Sequence, residues 1–131
     1  MPGRFGGDRN FSTTIYFLVP AGQFFTFHRI EGDELWYFYK GQTLYVYIID
    51  LQGNLEIIRL RNNIKLGEAF QAMVPACSYF ASRPSANEVY CLVGSTVIPG
   101  FDFEDFKLLE KHKLLIAYPQ HSDIIKELCR A

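Results

Sequence analysis

Short runs of apolar and β-branched residues, broken by Gly, Pro and Asn, organise the first three quarters of the chain. Ser12–Val19 ends at Pro20-Ala21-Gly22, Gln23–Ile30 at Glu31-Gly32-Asp33, and Glu34–Tyr39 at Lys40-Gly41. Thr43–Asp50 and Leu55–Arg61 flank a Gly53-Asn54 turn. A loop, Asn62–Glu68, leads to Ala69–Val74, and Pro75 makes a corner before Tyr79–Ser82. A loop at Arg83–Asn87 then precedes a long run, Glu88–Ile98. Strands of this length and spacing, bounded by turn residues, predict an all-β sandwich or barrel. Leu44–Ile49 (LYVYII) has no polar alternate position. Its second face therefore needs a cover: another sheet, a second subunit or the C-terminal segment. Dimerisation is the economical expectation.

Beyond Pro99-Gly100 the pattern changes, and Leu, Lys and Glu replace the β-branched residues. Asp105–Ile116 is expected as one helix, stopped at Tyr118-Pro119 because proline cannot continue it. Ser122 is expected to cap a last helix running through Leu128, with Asp123 favouring the dipole and Ile124, Ile125 and Leu128 on its apolar face. The first ten residues are Gly-rich and polar and are expected as a flexible arm. With 131 residues the chain suits one domain: an arm at 1–10, a barrel at 12–98 and helices at 101–131.

Composition narrows the function classes. A formal net charge of −1, with Lys and Arg scattered, gives no electrostatic footprint for nucleic acid or an anionic membrane. No apolar run approaches a membrane span, and the N-terminus has no apolar signal core, so a cytoplasmic protein is expected. Cys77, Cys91 and Cys129 are odd in number and lack CxxC spacing, which argues against disulfides or a structural zinc site. Twelve Phe and eight Tyr suit packed sheets or a ring-lined pocket.

The candidate chemistry lies in GQFFTFHRIEGDELWYFYKG, Gly22–Gly41, where His28 and Glu34 interrupt an aromatic run. They are open to four readings: metal ligands, an acid/base pair, a ligand-binding pair, or polar punctuation of a turn. As a catalytic pair, His28 would be the general base and Glu34 would orient it and raise its pKa. Two ligands without a third hold a divalent metal weakly, so no metal cofactor is expected, with His28 and Glu34 the weak candidates. If His28 points inward, period 2 also turns Phe24, Thr26 and Ile30 inward, and Glu34, Trp36 and Phe38 share a face of the next strand. The expected ligand-binding set is Tyr16, Thr26, His28, Glu34, Trp36, Phe80 and Thr96.

The spacing Gly22, His28, Ile30, Glu34, Gly41 resembles the first cupin motif, in which a second metal-binding histidine stands at the place of Ile30. PACSYF, Pro75–Phe80, is similar to the second motif, with Cys77 in the glycine place and Phe80 in the histidine place. STTIYFL, FHRIEGDELWYFYKG, VPAC, LVGSTVIPGFDFEDF and YPQH together resemble the cupin-5 or DUF985 branch, over roughly residues 9 to 128. Where that branch has a histidine after Glu-x-Trp, this chain has Tyr37. The resemblance implies a double-stranded β-helix, an RmlC-like jelly-roll barrel with short C-terminal α-helices, usually paired as a homodimer. The function expected from these readings is binding of a small polar or sugar-like molecule in the barrel. The alternatives are a sugar-related isomerase or epimerase using His28 as base, and a structural or interaction protein whose barrel is filled by its own side chains.

Overall fold

The computed structural model describes residues 2–86 and 89–130. The described strands run β1 (Thr13–Val19), β2 (Phe25–Arg29), β3 (Asp33–Gly41), β4 (Leu44–Ile49), β5 (Leu55–Leu60), β6 (Gln71–Val74), β7 (Tyr79–Pro84), β8 (Cys91–Ile98) and β9 (Lys107–Leu108). Two short helices follow, α1 (Lys111–Ala117) and α2 (Ser122–Leu128). The first eight strands coincide with the runs read from sequence to within a few residues. Asn87 and Glu88, assigned above to a loop and a strand start, lie outside the described residues. Antiparallel pairing builds one sheet in the order β1-β8-β3-β6 and a second in the order β5-β4-β7-β2-β9. Facing each other, the two sheets form the jelly-roll barrel of a double-stranded β-helix.

Alternation decides what fills each layer. Val19, Trp36, Val74 and Val93 from the first sheet meet Leu44, Val46, Ile48, Leu60 and Phe80 from the second inside the barrel. The intervening positions of the second sheet, Phe27, Tyr47, Ile49 and Ala81, are buried on its outer side by Leu114, Ile125 and Leu128. The C-terminal helices thus cover the second face of β4, and its unbroken apolar run needs no partner subunit. Each fully buried Leu or Ile on that cover contributes about 1.5–3 kcal/mol of transfer free energy.

Three expectations need correction. Residues 105–116 are not one helix. The Asp102 side chain accepts from Glu104 N–H and closes a single 3-10 turn at Phe103–Asp105. Lys107–Leu108 then extends to pair with the open edge of β2, opposite Arg29 and His28, before α1 begins. Unpaired edge hydrogen bonds and the inward packing of Phe106 outweigh helix propensity there. Ser122 is the first residue of α2 rather than its cap, and the preceding Pro119–His121 turn leads the chain in. The segment before β1, expected as a loose arm, is fastened to the body. Phe5 is buried, Arg4 Nε donates to the Glu31 carbonyl at 2.8 Å, and Arg9 grips Asp105 with two bonds of 2.8 Å.

Candidate functional site

A cavity of about 430 Å³ opens at one end of the barrel. β1, β3 and β8 supply Ile15, Phe17, Glu34, Trp36, Ser95 and Val97, and β2 supplies Phe25 and His28. The lip is the segment Phe101–Phe106, which contributes three phenylalanines. Arg9 positions this lip, because its planar fork holds Asp105 in a bidentate pair and also reaches Glu104 at 3.0 Å. The side chains of Arg9 and Asp105 are both nearly inaccessible to solvent.

β2 reaches the cavity through a bulge. Phe25 pairs with Ser82 and His28 with Phe80, so one extra residue sits between them on β2. The bulge resets the alternation: Phe25 and His28 both enter the cavity, while Phe27 turns outward under the helices. The simple period that placed Phe24 and Thr26 inward therefore fails. Thr26 Oγ1 donates to the Leu128 carbonyl at 3.2 Å and accepts from Arg130 N–H, so it fastens the C-terminus instead of lining the cavity. Phe24 lies under the Arg130 guanidinium, 4.3 Å from ring centroid to charge centre.

Two more expected ligand residues lie outside. Tyr16 is 80% exposed on the outer face of β1, beside Tyr39 at 5.7 Å between centroids. Thr96 bonds Thr14 across β1 and β8 on that same outer face, with 2.9 Å between the hydroxyls. Their neighbours Ile15, Phe17, Ser95 and Val97 hold the inward positions. Phe80 is fully buried in the core, with its ring 3.9 Å from His28 and 6.4 Å from Trp36 between centroids, and supports the cavity floor without lining it. His28, Glu34 and Trp36 are brought together on the cavity wall.

His28 is 3% exposed, and Phe25, Phe80 and Phe106 surround its ring. Its Nδ1 lies 2.8 Å from the Thr26 carbonyl, and since a carbonyl only accepts, Nδ1 carries the proton and Nε2 the lone pair. Burial among these rings pushes its pKa down to about 4, partly offset by the bond to Thr26. The sequence reading expected a carboxylate partner that raises the His28 pKa; desolvation prevails instead, and no hydrogen bond joins His28 to Glu34 among the described contacts. His28 is a neutral acceptor near pH 7.

Glu34 is the opposite case. Only 8% exposed, its carboxyl is pushed up to about 7 by burial, and Trp36 and Ser95 pull it back only in part. Those two neighbours fall short of formed hydrogen bonds: Glu34 Oε2 and Trp36 Nε1 are both buried without a partner. An orphaned acceptor and an orphaned donor stand side by side on β3, two positions apart on its inner face. Among the described residues of the cavity wall there is no Lys or Arg.

The donors do not fit the metal centre that the cupin resemblance implies. No group of three His, Cys, Asp or Glu side chains converges among the described residues. Ile30 and Phe80 occupy the places of two histidines, His112 is exposed on α1, and His121 Nε2 bonds the Gly53 carbonyl at 2.8 Å. At the second motif, Cys77 has φ = 67°, the left-handed conformation that glycine adopts freely, and its Sγ donates to Glu31 at 3.2 Å. Cys77, Cys91 and Cys129 are all free thiols, and no described helix is long and apolar enough to cross a membrane.

Sequence reasoning missed Ile15, Phe17, Phe25, Ser95 and the lip rings Phe101, Phe103 and Phe106. Phe101 and Phe103 stand two apart in the FDFEDF run, a spacing that signals paired inward rings. Phe17 and Phe25 depended on strand parity, which the bulge in β2 decides.

Comparison with known proteins agrees with this architecture. The profile of the Cupin superfamily (DUF985) matches residues 2–109. The uncharacterized protein YML079W of Saccharomyces cerevisiae is 32% identical over 106 residues, which is 78% of this chain and 52% of that protein. The chain therefore spans about half the length of this curated relative. Among solved structures, protein SO0799 from Shewanella oneidensis superposes with a TM-score of 0.89 at 39% identity, covering 96% of this chain and 79% of that one. A hypothetical protein from Leishmania major gives 0.87 at 30% identity, covering 96% and 80%. The strand order, the profile over residues 2–109 and these relatives together show that the chain belongs to the DUF985 family of the cupin superfamily.

Proposed function

We propose that this protein binds a small organic molecule inside the barrel, with an apolar body between the phenylalanines and a polar end at Glu34, Trp36 and His28, and without a resident metal. The observation that carries this reading is a roomy, ring-walled cavity whose lining brings Glu34, Trp36 and His28 together, with Glu34 Oε2 and Trp36 Nε1 buried in that wall without partners. A buried polar atom without a partner costs about 1–3 kcal/mol, and a small shift that brings it to a ligand or to its neighbouring side chain removes that cost. The walls favour ligands less polar than a free sugar, and the lack of Lys and Arg among the described lining disfavours phosphorylated sugars.

A second reading, isomerase or epimerase chemistry, rests on a different residue from the one expected. A histidine protonating near 4 is a weak base, whereas a carboxyl protonating near 7 matches the requirements of an acid/base group at neutral pH. In that reading Glu34 moves the proton and His28 accepts a hydrogen bond from substrate. We place the protein in a reducing compartment on the strength of its free thiols. A homodimer is supported by the outer face of the first sheet, where Tyr16, Leu18, Tyr39 and Met73 are exposed together. Sedimentation velocity of wild type and Tyr16→Glu tests the dimer, with the variant expected to be monomeric.

Native mass spectrometry of protein purified without added metal tests the main reading. A non-metal adduct that is lost in Glu34→Ala supports it. One divalent ion per chain, lost with His28→Ala, overturns the metal-free part, and a bare chain that takes up no added small molecule supports a filled or structural barrel.

A further inference from the structure

Resting on the pocket reading above, the question is which charge the ligand carries. Among the described residues, the cavity wall holds one acidic side chain and no Lys or Arg, and His28 is its only other titratable group. From β3, Glu34 looks into a box made by Phe17, Phe25, Trp36, Phe101 and Phe106. Phe17 packs edge-on to Phe25 and to Trp36, with centroids 5.2 Å and 5.7 Å apart. His28 packs edge-on to Phe25 at 4.4 Å, and Phe101 meets Phe106 at 6.3 Å. The elements around Glu34 present Val74 from β6, Ser95 and Val97 from β8, and the neutral His28 from β2, so no described cation faces it.

From these walls and this unpaired carboxylate we infer that the cavity selects an organic ammonium ion, a protonated primary or secondary amine carried on a small, mostly apolar body. Each part of the site fits that class. Ring faces attract a cation through their quadrupole, more strongly where water is excluded. The acceptors at this end of the cavity, the Glu34 carboxylate and the lone pair of His28 Nε2, accept from N–H donors, which an ammonium supplies and a quaternary ammonium does not. Trp36 Nε1–H then serves an oxygen on the same ligand, as in an amino alcohol or an amino amide. An anionic ligand would meet a carboxylate with no described cation to offset it. A neutral ligand offers Glu34 an O–H or N–H donor at most and leaves the carboxylate charge without a counter-charge.

The single tryptophan of the chain lines the cavity, so its fluorescence reports occupancy directly. The test titrates three probes of one shape: benzylamine (cationic), benzyl alcohol (neutral) and benzoate (anionic), against wild type and Glu34→Gln, at pH 8 and pH 5.5. At pH 8 benzylamine is expected to bind wild type at least roughly tenfold tighter than benzyl alcohol, with benzoate weakest. A carboxyl protonating at about 7 is about 90% ionised at pH 8 and about 3% at pH 5.5, so benzylamine affinity falls about thirtyfold on acidification. Glu34→Gln removes both the preference and the pH dependence. The wild-type pH comparison stands even if the variant folds poorly. Equal binding of benzylamine and benzyl alcohol, unchanged by pH, overturns the ammonium inference and leaves the pocket reading intact. Preference for benzoate overturns it as well. No response to any of the three overturns both.

Discussion

Replacing Glu34 by Gln should make this protein more stable in alkaline solution and should do little in acid. The side chain is buried, and its pKa stands at about 7 where an exposed glutamate has 4.5. A group whose folded pKa is raised stabilises the fold fully below its unfolded pKa and loses that contribution as pH rises through the folded value. Between pH 4.5 and 7 the folded chain therefore gives up about 3 kcal/mol, at about 1.4 kcal/mol for each pH unit separating the two pKa values. Glutamine has nearly the same shape and never ionises. Glu34→Gln is thus expected to stabilise by about 2–3 kcal/mol at pH 8 and by less than about 1 kcal/mol at pH 5. For a domain of this size that is roughly 10 °C in Tm at pH 8. Urea unfolding at both pH values, followed by Trp36 fluorescence, measures the difference. Equal destabilisation of the variant at pH 5 and pH 8 would refute the reasoning, because it would mean that the carboxylate is ionised and well partnered in the folded state.

Other substitutions probe other parts of the account. His28 has the opposite sign: with its pKa pushed down to about 4 from 6.5, the stability its neutral form contributes is present above pH 6.5 and lost as pH falls toward 4. In pH-dependent urea unfolding, His28→Gln should flatten that acid limb by about 2–3 kcal/mol. Cys77→Gly relieves a left-handed φ at the Pro75 corner and is expected to stabilise by about 0.5–1 kcal/mol despite losing the bond to Glu31, as read by denaturant midpoints. Leu128→Ala opens the layer between α2 and β4 and should cost about 3 kcal/mol in the same assay. Arg9→Ala strands Asp105 without its bidentate partner, so amide exchange across residues 101–106 should accelerate more than exchange in β3.

The barrel was legible because its strands announce themselves twice, through β-branched and aromatic runs and through the Gly, Pro and Asn that end them. β4 also showed that both its faces are buried, although the cover is α2 of the same chain rather than a second subunit. The pocket was legible in part. His28, Glu34 and Trp36 stand at positions whose spacing marks the inner face of β2 and β3, and they meet in the cavity. Tyr16 and Thr96 failed by parity: on β1 and β8 a slip of one residue exchanges cavity for solvent, and the sequence offers no polar alternation on β1 to fix the phase. Thr26 failed because a bulge between Phe25 and His28 shifts the phase within a single strand, a feature without a local signature here. The stretch from Asp105 to Glu110 was misread as helix because Arg9, almost a hundred residues away, and the free edge of β2 determine its path.

The account's central claim is an open, ring-walled cavity whose polar end is Glu34. A crystal of the protein soaked in a fragment library tests it most directly. The account predicts a fragment lodged between Phe17, Phe25 and Trp36 with a polar atom within hydrogen-bond distance of Glu34. Crystals in which Phe101, Phe103 and Phe106 close over a filled barrel, and in which no fragment enters, would contradict it.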